Sequence, residues 1–303
     1  MEPKAQGDAL SQFVKVRPRL FGIAYRILGS AAEAEDIVQD VWLRWQGANR
    51  SAVLDPPAFP AAATTRLAIN LAQSARSRRE TYVGPWLPEP VDTSADPQLG
   101  AERGEALEFA VLLLLEKLSP TERAAYVLRE AFDYPYRQIA EILQLEEANT
   151  RQLVTRARQH ITDGRRAPVS SAEQRRLLEA FIAAAQKGDL AALETLFASD
   201  VVSYSDGGGV VNAARAPIAG RERVAKFITA FASHFWTGVT LTSIQTNGQS
   251  SVLISRDGAV VTVATIDASA EGIGQILWMM RPSKLNAIAK SYETRINRDL
   301  QTP

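Results

Sequence analysis

Six side chains in one short segment have the types and spacing to read a nucleic acid. Between residues 148 and 161, Arg151, Gln152, Thr155, Arg156, Arg158 and Gln159 share one arc of a helix, roughly 160° wide at 3.6 residues per turn. Leu153, Val154, Ala157 and Ile161 fall on the other side. Arginine and glutamine can pair with guanine and adenine edges in the major groove, while contacts to phosphate add affinity without choice. An ordinary amphipathic helix with a solvated face has a similar outline. Against that reading, the exposed arc has no acid after Glu147, and its amides stand among the arginines.

Other chemistries are thinly represented. The chain has no cysteine, which excludes disulfides, thiolate zinc sites and cysteine nucleophiles and suits a reducing compartment. Asp200, Asp206, Asp267 and His234 are the acid–base candidates of the C-terminal half. General acid–base work needs a positioned pair in a cavity. His234, beside Phe235 and Trp236 at a helix end, reads more readily as a capping or packed histidine. The run Asp206, Gly207, Gly208, Gly209 lacks the rest of a nucleotide-binding fingerprint. It reads as a loop that either turns the chain or contacts the linker and the helical modules. No catalytic residue, metal or cofactor is expected.

Several helices must position these groups. Residues 12–28 are apolar at helical spacing, with Pro18 expected to shorten the front. Ser30 caps residues 31–46, where Ile37, Val41 and Trp45 form one stripe. Residues 58–80 form a long alanine-rich helix ending in "RSRRE". Residues 102–132 are helical with a restart at "LSPTER": Ser119 at the cap, Pro120 at the first turn and Glu122 three beyond. The segment before the arginine-rich helix buries Ile139, Ala140, Ile142 and Leu143. Two helices joined by a tight polar turn, the second exposing Arg, Gln and Thr, follow the logic of a helix-turn-helix.

The formal charge is zero over 303 residues, yet unevenly spread. Residues 1–82 hold 11 Lys/Arg against 8 Asp/Glu, residues 83–133 hold 4 against 10, and residues 134–168 hold 6 against 4. Residues 83–101, with four prolines and two glycines, read as an extended tether whose "PWLPEP" core packs on a neighbouring domain or serves as a docking segment. From about residue 172, helical segments give way to "VTLTSIQTN", "SSVLISRDG", "AVVTVATIDAS" and "GIGQILWMMR", strands of an antiparallel sheet. Helices first and strands after make an α+β domain.

The stretch "LEKLSPTERAAYVLREAFDYPYRQIAEILQLEEANTRQLVTRARQHI" resembles region four of bacterial sigma factors, especially the extracytoplasmic-function (ECF) group. "RLFGIAYRILGSAAEAEDIVQDVWLRW" resembles their region two. The resemblance implies that region four reads the minus-thirty-five element through Arg137 and the six residues above, and meets the flap of RNA polymerase. It implies that Glu35, Asp36, Gln39 and Asp40, an acidic-polar face, meet the clamp helices of the largest polymerase subunit. It gives Arg66, Asn70, Gln73, Arg76, Arg78 and Arg79 to the melted minus-ten element; Asn70 matches a family asparagine, and Ile69 stands where many relatives have arginine. Single strands are held by cationic grooves and pockets for unstacked bases.

The extension beyond residue 168 resembles the SnoaL-like branch of the cone-shaped fold of nuclear transport factor two. With "WLPEP" and "DGGG", it resembles a sigma-J-like subgroup, whose late "NPDKL"-like motif is replaced here by "RPSKL" at 281–285. In that reading Trp86, Leu87, Pro88, Glu89 and Pro90 of the linker and the loop 206–209 are regulatory. The domains expected are 1–82, 83–101, 102–168 and 169–303: two all-α sigma modules, a linker and a regulatory α+β cone. The expected partners are core polymerase and promoter DNA, with no membrane, a cytoplasmic setting, and an unidentified small molecule for the cone. The rivals are a SnoaL-type cyclase or isomerase fused to a DNA-binding module, and a helix-turn-helix regulator acting without polymerase.

Overall fold

The computed structural model describes residues 3–47, 58–93 and 107–299. The chain divides into two units: residues 1–80 with 97–107 and 111–164, and residues 81–96 with 108–110 and 165–303.

The first unit is helical. Helices α1 (Pro3–Leu28), α2 (Ala31–Gly47) and α3 (Ala58–Glu80) pack on one another. Pro18 does not shorten α1; it lies inside it. An internal proline costs about 3 kcal/mol, and the burial of Phe13, Leu20, Phe21, Ala24, Ile27 and Leu28 along the same helix offsets it. Phe13 meets Trp42 at 4.9 Å between ring centroids, and Trp45 meets Phe59 at 5.9 Å. Ser30 accepts from the Glu33 amide at 3.2 Å, as its place before α2 predicts.

Helix α4 (Phe109–Leu115) follows in sequence, then α5 (Pro120–Tyr126), a π-helical turn (Val127–Ala131), α6 (Tyr136–Leu143) and α7 (Glu147–Gly164). The restart at α5 is a complete capping box: Ser119 Oγ accepts from the Glu122 amide at 3.3 Å, and Glu122 accepts from the Ser119 amide at 3.2 Å. Replacing Ser119 by alanine should cost about 1 kcal/mol of stability, read as a shift in the urea midpoint without a change in slope. Helix α6 closes on Gln144, whose φ of 56° is left-handed. That single residue makes the polar turn tight enough to bring α7 back against α6.

The second unit is an α+β domain. Helices α8 (Ser171–Lys187), α9 (Leu190–Leu196) and α10 (Arg221–Phe235) accompany a six-stranded sheet ordered β2-β1-β6-β5-β4-β3. The strands are β1 (Phe197–Asp206), β2 (Ile218–Ala219), β3 (Val239–Thr246), β4 (Gln249–Arg256), β5 (Ala259–Ser269) and β6 (Gly272–Met279), and α11 (Pro282–Asp299) ends the unit. The last four strands form the antiparallel meander that their alternation predicts. Asn247-Gly248 and Asp257-Gly258, all at positive φ, make its first two hairpin turns. Strand β1 runs parallel to β6, an arrangement the alternation does not reveal. Phe181, Phe197, Val201, Ile254, Ile266 and Ile276 are among the core residues.

The segment 81–93 belongs to this unit. It is extended, and it is docked rather than loose. Leu87 is fully buried and Pro88 and Pro90 are buried, whereas Trp86 is only half-buried. Farther along, Asp92 bridges to Thr246, and the amide of Thr93 donates to Gln245 O at 3.3 Å.

Candidate functional site

Helix α2 buries Ile37, Val41 and Trp45 and leaves Glu35, Asp36, Gln39 and Asp40 exposed on the opposite face. Glu35 pairs with Arg17 at 2.5 Å, with both side chains about half exposed (49% and 48%). Such a pair contributes roughly 0–1 kcal/mol. A basic partner could therefore displace Arg17 at small cost.

The cations of α3 are differently placed. Arg66 donates to the carbonyls of Ile142 and Glu141, at 2.9 and 3.1 Å, at the C-terminal end of α6. A cation is favoured there by the unsatisfied carbonyls and the helix dipole. Arg79 ion-pairs with Glu116 and donates to Leu28 O. Glu116 also accepts from the buried Arg123, which donates to Ile27 O at 2.6 Å. Arg79 is thus part of a tie between helices in this structure. Asn70 and Gln73 are exposed; the side chains of Arg76 and Arg78 lie outside the described residues.

On α7 the stripe Leu153, Val154, Ala157 and Ile161 is buried, joined by Thr150, and all six polar candidates are exposed. The arginines are paired within the unit: Arg151 with Glu147 at 2.5 Å, Arg156 with Glu122 at 3.1 Å and Arg158 with Glu130 at 2.7 Å. The bond to Glu130 raises the Arg158 pKa further above its usual value. Gln159 donates to Asp163 at 2.7 Å, and Thr155 donates to Arg151 O at 2.9 Å. Arg137 is exposed, 3.3 Å from Glu141. Gln152 is exposed and makes no side-chain hydrogen bond among the described residues.

In the second unit the linker and the glycine loop meet at Asp206. This carboxylate is fully buried, as is nearly all of the Lys284 side chain that pairs with it at 2.7 Å. Tyr82 donates to Asp206 Oδ1 at 2.5 Å, and the Leu87 amide donates to Oδ2 at 2.9 Å. Lys284 also donates to Leu87 O, and its ammonium lies 4.1 Å from the Trp86 ring centroid. Burial, then the bond to Asp206, pushes the Tyr82 hydroxyl up to about 12. The β1–β6 register sets Asp206 opposite Met279, and the Met280 amide donates to Asp206 O at 2.9 Å. The first turn of α11 therefore begins beside the carboxylate and carries Lys284 onto it. Gly208 turns the chain at φ 58°, where a Cβ would lie 2.7 Å from both Arg281 Cδ and Tyr82 Oη. Gly209, at φ 74°, faces Val83, while Glu89 is half-buried.

Tyr82, Lys284 and Asn247 are the members of this dock that sequence reasoning missed. Asn247 accepts from the Val91 amide at 2.9 Å and donates its own amide to Val91 O at 3.0 Å. One signal existed: a carboxylate buried at a strand end needs a cation, and "RPSKL" offers one.

The acid–base candidates do not converge. Asp200 pairs with Arg166 at the surface, and His234 is exposed, bonded to Ser233 at 3.0 Å instead of packed. Burial raises the Asp267 pKa, against the pull of Arg165 and Arg166. Among the described residues no group of three or more His, Cys, Asp or Glu could hold a metal ion.

Comparison with known proteins agrees with this architecture. Residues 13–80 match the model of Sigma-70 region 2, and residues 108–161 match that of Sigma-70, region 4. The chain is 36% identical over 239 residues to the ECF RNA polymerase sigma factor SigJ of Mycobacterium tuberculosis, covering 76% of this chain and 75% of that one. It is 31% identical over 277 residues to the probable ECF RNA polymerase sigma factor SigI of the same organism, covering 90% and 93%. The crystal structure of SigJ superposes with a TM-score of 0.74 at 29% identity, covering 92% of this chain and 98% of the other. The second unit is accordingly the SnoaL-like α+β domain of such a protein. Two helical modules in this order, with that relatedness, place the chain in the family of ECF RNA polymerase sigma factors.

Proposed function

We propose that this sigma factor, which directs promoter-specific initiation by core RNA polymerase, meets the polymerase through Glu35, Asp36, Gln39 and Asp40. In the same reading it binds the minus-thirty-five element through Arg137, Arg151, Gln152, Thr155, Arg156, Arg158 and Gln159, some of them on base edges and others on phosphates. Asn70, Gln73, Arg76 and Arg78, with Arg66 and Arg79 once released from their protein partners, hold the opened minus-ten strand. The C-terminal unit regulates these modules in cis by gripping the linker at Trp86–Pro90 with Asp206–Gly209. The carrying observation is the buried Asp206–Lys284 pair closed over Leu87. The protein acts in the cytoplasm; no described helix is long and apolar enough to cross a membrane.

Run-off transcription with purified core polymerase tests this reading. Full-length protein should support initiation, and versions cut at residue 168 or inside the loop near 206 should change its efficiency. Within that assay, Gln152→Ala should relax base preference at one minus-thirty-five position by about tenfold. Arg156→Ala should instead weaken all promoters alike and lower the salt slope by about 1. Equal effects of the two changes on every promoter would refute the assignment of Gln152.

A further inference from the structure

The second unit contains a cavity of ≈ 220 Å³ that none of the above uses. Phe227, Phe231 and Phe235 of α10, Trp236, and Trp278 and Met280 line most of it. The rings are set at angles: Phe235 meets Trp236 at 4.8 Å and 89°, and Trp278 at 5.6 Å and 80°. The Trp278 indole N–H donates to Ser203 Oγ at 3.2 Å, so its donor is engaged within the fold. Ile228, Ala213 and Ala214 add further apolar surface, and the two polar residues of the lining are Ser205 and Asn212, neither of whose side chains has a hydrogen-bond partner among the described residues. No lining residue is charged.

This composition fixes the chemistry of an occupant. A charged molecule would lose its hydration without a counter-charge. A flat neutral ring would meet aromatic walls at favourable offset and edge-on angles, and Ser205 and Asn212 would orient one hydroxyl or carbonyl. The size is restrictive as well, since a cavity of roughly 150 Å³ accepts a single benzene ring.

The position is as informative as the lining. Ser205 precedes Asp206 on β1. Ser205, Asn212, Ala213 and Ala214 line both this cavity and a second, adjoining one whose other wall includes Val83 and Gly84 of the linker. An occupant therefore touches the loop that touches the linker. We propose that the cavity is an effector site for a neutral one- or two-ring aromatic molecule bearing a hydroxyl or carbonyl, and that its occupancy alters the hold on residues 82–87. The second clause rests on the regulatory reading above; the first does not.

The test uses the full-length protein without polymerase, and 2-naphthol as the probe. Isothermal titration should show binding, with naphthalene-2-carboxylate at least about tenfold weaker. Phe231 is 52% exposed at the rim, so changes there leave the core intact. Phe231→Asp should weaken 2-naphthol at least about tenfold, and Phe231→Leu by no more than about threefold. Hydrogen exchange of the Leu87 amide, which reports its bond to Asp206, should change at saturating 2-naphthol. Absence of 2-naphthol binding, equal binding of the carboxylate, or indifference to Phe231→Asp would each overturn the site. Binding with unaltered Leu87 exchange would overturn the coupling. Because no polymerase is present, failure of the transcription assay leaves these outcomes intact.

Discussion

Lys284→Met lowers the stability of the C-terminal unit by about 3–5 kcal/mol and frees the linker, because it strands a buried carboxylate whose ion-pair partner among the described residues is that lysine. Asp206 is fully buried, and among the described residues its side chain has, besides Lys284, the Tyr82 hydroxyl and the Leu87 amide as neutral donors. Against a total stability of roughly 5–15 kcal/mol, the loss is large. Two measurements check it: the denaturant midpoint, and the rate of proteolysis within residues 81–93. Asp206→Ala alone should behave similarly, leaving a buried ammonium. The double variant should recover part of the loss, since it removes both charges. Tyr82→Phe deletes one hydrogen bond and should cost only about 1 kcal/mol. A Lys284→Met protein with unchanged midpoint and unchanged proteolysis would sink the dock as an energetic feature.

The second large effect belongs to polymerase binding. Asp36→Arg combined with Asp40→Arg should reduce affinity for core polymerase by about 100-fold or more. Reversing charges that face a complementary partner costs several kcal/mol in the complex. Both residues are exposed on α2 in the free protein, opposite the buried stripe. The same double change should therefore move the unfolding midpoint little, within about 0.5 kcal/mol per site. Retained core binding at wild-type affinity would overturn the assignment of this face as the polymerase contact.

What could be read from residues, and what could not, divides by distance along the chain. The capping box at Ser119, the polar arc of α7 and the β3–β6 meander are local patterns, and each is present in the structure. Pro18 shows a local rule overridden, because packing of α1 against α2 and α3 outweighs the missing N–H. The parallel β1–β6 pairing depends on segments about 75 residues apart, and nothing in either strand's alternation states its partner. Helix α11 escaped notice although Pro282 stands at its first position and Leu285 and Ile288 are buried at helical spacing. The engagement of Arg66 by α6 carbonyls is also invisible locally, since "RLAIN" says nothing about which chain ends lie nearby. For the site, the polar faces were legible from periodicity, whereas the closure over Leu87 joins residues separated by 197 positions.

That separation has a consequence in time. A ribosome adds roughly 5–20 residues each second, so Leu87 exists for about 10–40 s before the codon for its lysine partner is translated. Helices form in microseconds, so the N-terminal modules have ample opportunity to fold during that interval. Every newly made molecule thus passes through a period in which its linker has not yet been clasped. The last stretch of synthesis ends that period, and a nascent chain stalled short of residue 284 never leaves it.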